Sequence, residues 1–216
     1  MNQKYIFLYA LIVTLIFFNL GIFLGYMFES HRVNKINEFY VNSEMDLLDQ
    51  RIQEGAFDVV NIDCNAAIKA NIEFADKIFE DAKQIQKFED ANRINKDTIF
   101  QHKRFDLLRT LFWINSIKIK ENCNASYHNV VYFYKFNEPS IEQKAKQRAI
   151  SNLLTELKEE KGSSIMLIPL AADNNFPSIN LLLEAYEVKE LPSILIDEKY
   201  ILTDFNSKEE IEKYLD

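Results

Sequence analysis

Glu184-Ala-Tyr-Glu-Val-Lys-Glu-Leu-Pro-Ser-Ile-Leu-Ile196 decides the fold of this chain. Its first part closes a helical stretch that Pro177 opens and Tyr186 ends, since proline suits a first helical turn. Its second part, Leu191 to Ile196, is a short apolar run with β-branched residues and reads as a buried strand. Another strand, Tyr200-Ile-Leu-Thr203, follows across a turn at Asp197-Glu-Lys199. Upstream, Val130-Val-Tyr-Phe-Tyr134 reads as a buried strand, Pro139 opens a long helix running to Glu160, and Ser164-Ile-Met-Leu-Ile-Pro169 supplies a further strand. Downstream, Ser207 and Glu210 have the spacing of a capping box that starts a last helix. The order β-α-β-α-β-β-α predicts a small α/β layer fold.

That order, with a proline opening the third strand, resembles the thioredoxin family over about residues 127–216. Tyr186-Glu-Val188 and Leu191-Pro192-Ser193 are similar to the family's Tyr-Gly-Val-like helix end and the Ile-Pro-Thr that follows it. The resemblance implies a cis Pro192 beside the family's active site, with the backbone of Leu191 facing an extended peptide of a client. It also implies where the family's Cys-x-x-Cys would stand, between first strand and first helix, where a helix N-terminus lowers a thiolate pKa. Here that place reads Lys135-Phe-Asn-Glu-Pro-Ser-Ile-Glu142, and aligning Pro139 sets Glu138 and Ile141 where the cysteines would be. Neither can attack a disulfide. Glu138, Pro139, Ile141, Leu191 and Pro192 are therefore the candidate binding face, and no catalytic residue is assigned. A carboxylate such as Glu138 at a helix N-terminus also fits simple capping, worth about 0.3–1 kcal/mol.

Before this domain lie two helical patterns. Ile68, Ile72, Ala75, Ile78, Phe79, Ala82, Ile85 and Phe88 form one apolar stripe, and Phe105, Leu108, Leu111, Phe112 and Ile117 form a second. Asn92-Arg-Ile-Asn-Lys-Asp97 between them suits a turn, with Asp97 capping the second helix. The pair should fold as an antiparallel, coiled-coil-like hairpin. The chain's two cysteines, Cys64 and Cys123, lie equally far from that turn and so reach the same height at the open end. Across axes roughly 8–10 Å apart they can meet the separation a disulfide needs. A structural disulfide is the expectation; two buried thiols, or a pair that cycles between oxidised and reduced states, are the alternatives.

Tyr5 to Phe28 contains no charged residue and is long enough to span a membrane. A cleaved signal peptide has a shorter apolar region and small residues at its cleavage site, which Gly25-Tyr-Met-Phe-Glu29 lacks. Gly21 and Gly25 have the spacing that lets a second membrane helix approach, so a homodimer through the span is a possible partner state. Ser30 to Gln53 reads as a helix leaving the membrane and stopping near Gly55. Lys4 and the amino terminus, set against Arg32 and Lys35, tilt the body slightly toward the cytoplasm. A disulfide argues for an oxidising, extracytoplasmic side and outweighs so small a charge difference. Asn124-Ala-Ser126 is a glycosylation sequon in keeping with export. The expected organisation is a cytoplasmic tail at 1–4, a membrane helix at 5–28, a stapled helical stalk at 29–126 and a thioredoxin-like domain at 127–216. It is similar to that of membrane-anchored thioredoxin-like proteins of prokaryotes.

Composition narrows the chemistry. With 25 Lys and Arg against 33 Asp and Glu, a net charge of −8 disfavours nucleic acid as a partner. His31, His102 and His128 fall on three different elements without a zinc spacing, so no metal is expected. Four glycines, two of them in the membrane segment, make no phosphate loop, and no cofactor is expected. The leading expectation is a redox-inactive, membrane-tethered binding module that docks a protein partner or client. A thiol-disulfide oxidoreductase using Cys64 and Cys123, and a structural subunit of a cell-envelope complex, are the alternatives.

Overall fold

The computed structural model describes residues 3–60, 62–91, 96–203 and 207–215. They divide into two units, 1–45 and 46–216.

The first unit is helical throughout its described residues. Helix α1 (Gln3–Val59) begins in it and includes Tyr5–Phe28, 24 residues long and apolar enough to cross a membrane. Polar side chains inside that span are satisfied locally, Thr14 Oγ1 donating to the carbonyl of Ala10 and Asn19 Nδ2 to that of Leu15. Gly21 and Gly25 have open space where a Cβ would stand. The helix does not stop near Gly55 as expected but runs through it to Val59. A single glycine costs a helix only about 1 kcal/mol, and the part of α1 in the second unit is held by packing on both sides of Gly55, the Lys118 amine lying over the Phe57 ring at 5.8 Å. Asn115 Nδ2 donates to Oε1 and to the backbone carbonyl of the buried Gln50, and Lys77 pairs with Asp46.

The second unit contains the helices α2 (Cys64–Ala91) and α3 (Lys96–Cys123), joined by a Cys64–Cys123 disulfide with a Cα separation of 5.4 Å. The proposed turn at Asn92 to Asn95 lies outside the described residues. Among the described residues α3 starts at Lys96, so Asp97 lies within the helix.

The sheet follows. Strands β1 (His128–Tyr134), β2 (Ile165–Ala171), β3 (Ser193–Ile196) and β4 (Tyr200–Leu202) lie in the order β2-β1-β3-β4. β1 and β2 are parallel, whereas β3 is antiparallel to both β1 and β4. Helices α4 (Ile141–Lys161), α5 (Pro177–Ala185) and α6 (Lys208–Glu212) complete a mixed α/β layer that is loosely thioredoxin-like. Successive strand residues point to opposite faces. Val130, Tyr132, Ile165, Leu167, Ile194 and Ile196 thus form one core with Ile150, Leu154 and Leu157 of α4 and Ile211 of α6. Ser207 stands before α6, but its side chain makes no capping bond to the helix, so the expected capping box is not formed. A capping box does form at α4, between Ser140 and Gln143.

Residues 46–216 make one unit in which α3 is a central helix. His102, Asp106, Arg109, Trp113 and Ser116 recur every three or four residues and share one α3 face. This face lies along β1: Tyr134 meets His102, Trp113 packs edge-on against Phe133 at 5.9 Å, and Ser116 Oγ donates to Asn129 Oδ1 at 2.6 Å. A second face, with Phe112 against Phe74 of α2, holds the hairpin together. Lys158 ties α4 to α2, its buried amine donating to Asp76 and to the carbonyls of Gly162 and Ile165 at 2.8–2.9 Å.

Candidate functional site

The five face residues expected from the sequence come to one end of the sheet. The register pairs Phe133 with Ser193, so the loop 135–140 leaves β1 where Leu191 and Pro192 enter β3. The Leu191–Pro192 peptide is cis, and Pro192 is buried while Leu191 is half-buried. Pro139 does not open α4. Ser140 has the extended backbone of a cap and its Oγ accepts from the backbone N–H of Gln143, which moves the first helical residue to Ile141. Glu138 therefore lies in the loop, exposed and in the left-handed region with φ 47°, and the first-turn acid of α4 is Glu142. Ile141 is 92% exposed.

Two side chains shape this loop. Asp173, just after β2, accepts from the backbone N–H of Phe136 at 2.8 Å and of Asn137 at 2.7 Å. Gln147 of α4 mimics a strand partner, exchanging hydrogen bonds with the N–H and carbonyl of Lys135 at 3.0 and 2.9 Å. On the other side, Glu187 adopts φ 53° and ends α5, with Val188 N–H bonded to Leu183 and Glu187 N–H to Glu184. This is a Schellman closure in which glutamate holds the left-handed position usually taken by glycine.

Neither cysteine belongs to this end. Cys123 precedes β1 by five residues and stands toward its start. There the β3–β4 turn makes a second polar cluster. Asp197 (φ 48°) and Glu198 (φ 58°) both take the left-handed conformation, which turns their carboxylates back onto α3 and β1. Asp197 accepts from Lys120, from His128 Nδ1 at 2.6 Å and from the Asn129 N–H at 2.9 Å. Burial alone would raise its pKa, but these donors outweigh it and hold the carboxyl below its ordinary value. Glu198 accepts from Trp113 Nε1 at 2.6 Å and Asn129 Nδ2 at 3.2 Å. For Glu198 burial prevails, helped by the charge of Asp197, and its pKa is raised.

A cavity of about 260 Å³ opens elsewhere in the second unit, bounded by α2, α3, β1, β2 and α4. It was not expected from the sequence. Its apolar wall includes Phe79, Leu154 and Leu167, and its polar wall includes His102, Arg109 and Lys144. His102 is buried, with Nε2 2.9 Å from the Tyr134 hydroxyl and Nδ1 3.1 Å from Asp106, while Phe136 stacks on its ring at 3.8 Å. Asp106, fully buried, also faces Arg109 Nη1 at 3.4 Å and accepts from Asn174 Nδ2 at 2.5 Å. The signal was in the sequence: three polar residues at helical spacing, 102, 106 and 109, in register with Trp113. A search for apolar stripes passes over it because the face is mostly polar.

No family model, curated protein or solved structure matches the chain.

Proposed function

We propose that the chain is a membrane-anchored, thioredoxin-like module without thioredoxin thiol chemistry, which docks a protein partner at the sheet end carrying Ile141, Leu191 and Pro192. The observation that carries this reading is the register Phe133 to Ser193, which brings the loop 135–140 and the Leu191–Pro192 segment together in the absence of a cysteine. A thiolate nucleophile is required for disulfide exchange, and both cysteines of the chain are joined to each other near the opposite end of β1. Ile141, exposed in the first turn of α4, offers apolar area to a partner. The disulfide also supports an oxidising and hence extracytoplasmic compartment for residues 46–216. The candidate membrane helix supplies the anchor.

The test is crosslinking in cells with the full chain, followed by recovery of bound proteins, for the native sequence and for Ile141→Asp with Leu191→Asp. Capture lost in the variant supports the reading. Capture unchanged would move the partner contact elsewhere and favour a structural subunit of an envelope complex. Thiol trapping in the same cells addresses the oxidoreductase alternative: a Cys64–Cys123 bond found half reduced, or exchanging with a client, would overturn the module without thiol chemistry.

A further inference from the structure

We propose that the cavity between α2, α3, α4 and the sheet is a binding site for a small, singly charged organic carboxylate with an apolar body. Its volume, about 260 Å³, lies just below the roughly 300–1,000 Å³ typical of ligand pockets. This suits a molecule with one ring or a short chain. The chemistry of the wall sets the rest. Ile78, Phe79, Leu154 and Leu167 supply an apolar side, and among the described residues the charged ones that line the cavity are all basic. Lys83, Arg109, Lys144 and Arg148 are among them, whereas the nearby carboxylates of Asp106, Asp81 and Glu159 do not line it.

Arg109 is the anchor. It is 5% exposed, and its Nε has no hydrogen-bond partner among the described residues. A buried guanidinium with a donor left unmade favours an anion, and a carboxylate meeting Arg109 from the cavity side would offset that cost. The guanidinium also has one carboxylate already, Asp106 at 3.4 Å, and Asp106 is shared with His102 and Asn174. Only part of its charge is therefore left to a ligand, which favours a singly charged head over a phosphate dianion. Lys83 is likewise occupied, by Glu159 at 2.6 Å and Glu80 at 3.5 Å. Lys144, exposed in the first turns of α4, has no carboxylate partner among the described residues and can meet the head at the mouth. Tyr132 and Tyr134 are turned away from this task, their hydroxyls bonding to the Gln147 carbonyl and to His102.

The test is titration calorimetry on the full chain in detergent micelles, with 3-phenylpropionate, its neutral analogue 3-phenylpropanol, and phenyl phosphate as probes. The expected result is saturable binding of the carboxylate, at least tenfold weaker binding of the alcohol, and phenyl phosphate no tighter than the carboxylate. Arg109→Gln should lose binding while retaining a cooperative melt and the disulfide. Lys144→Glu, on the surface, should weaken it about threefold or more and supplies the answer if Arg109→Gln does not fold. Absence of saturable binding, equal affinity for the alcohol, tighter binding of the phosphate, or native affinity in either folded variant would overturn the proposal. The partner-capture experiment at Ile141 and Leu191 is independent of this result.

Discussion

The two ends of β1 are built on opposite plans. At its start, a disulfide, an ion pair, a histidine and two turn carboxylates close α3, β1 and the β3–β4 turn onto one another. At its finish, the loop 135–140 is held mainly by the carboxylate of Asp173 and the amide of Gln147, and the first residue of α4 is an isoleucine in solvent. Cross-links and buried polar networks fix the relative position of elements. An exposed apolar side chain fixes nothing within its own chain. The start of β1 is tied into the fold by these links, and its finish is where the proposed partner contact lies.

The largest effect should come from the disulfide. The bond closes a sequence separation of 59 residues, and replacing both cysteines by serine should cost about 4 kcal/mol on the chain-entropy model. The shift of the denaturant midpoint at constant slope measures it. A loss below about 1 kcal/mol would mean that the polar network alone holds that end.

Asp197→Ala should cost about 2–3 kcal/mol, since it strands Lys120, His128 and the Asn129 N–H together. The pH dependence separates the two turn carboxylates. Asp197 has a folded pKa below its ordinary 3.8, so its stabilising contribution is complete above that value and disappears as pH falls through the lower folded value. Glu198 has a folded pKa above its ordinary 4.5, so its contribution is complete below 4.5 and disappears as pH rises through the folded value. Melting curves from pH 3 to pH 7 should accordingly show Glu198→Gln gaining on the native chain as pH rises past about 4.5. The Asp197→Asn deficit should shrink below about pH 4.

At the other end, Asp173→Ala removes a carboxylate from two backbone N–H groups that can reach water, and about 1–2 kcal/mol should be lost. Amide exchange at Phe136 and Asn137 should accelerate, and exchange at Asn129 should not. The smallest effect belongs to Ile141→Asp. At 92% exposure its change in stability should stay within about 0.5 kcal/mol, so that any loss of partner capture reads the surface and not the fold. A larger loss of stability would remove the contrast between the two ends.

Much of the architecture was legible because period and composition carry it. The uncharged run at 5–28, the strands read at 130–134 and 191–196, and the pairing of the two cysteines follow from local patterns, though β3 itself begins only at Ser193. Helix boundaries were less legible. Pro139 looks like a helix start, but Ser140 can cap and Gln143 can return the bond, so the helix begins one residue after the cap. Gly55 looks like a stop, but the helix runs on to Val59, with the Lys118 amine over the ring of Phe57 beyond it.

What the sequence by itself determined is the set of elements, their order and the absence of a cysteine pair beside Pro139, because each depends on residues near one another in the chain. Tertiary structure alone decided that α3 lies along β1 and that His102, Asp106 and Arg109 meet Tyr134 and Asn174 beside a cavity. The contacts of His102 with Tyr134 and of Asp106 with Asn174 join residues 32 and 68 positions apart, and a buried polar side chain is stable only where such partners satisfy it. A polar stripe on a helix reads as a solvent face until the strand that covers it is in place.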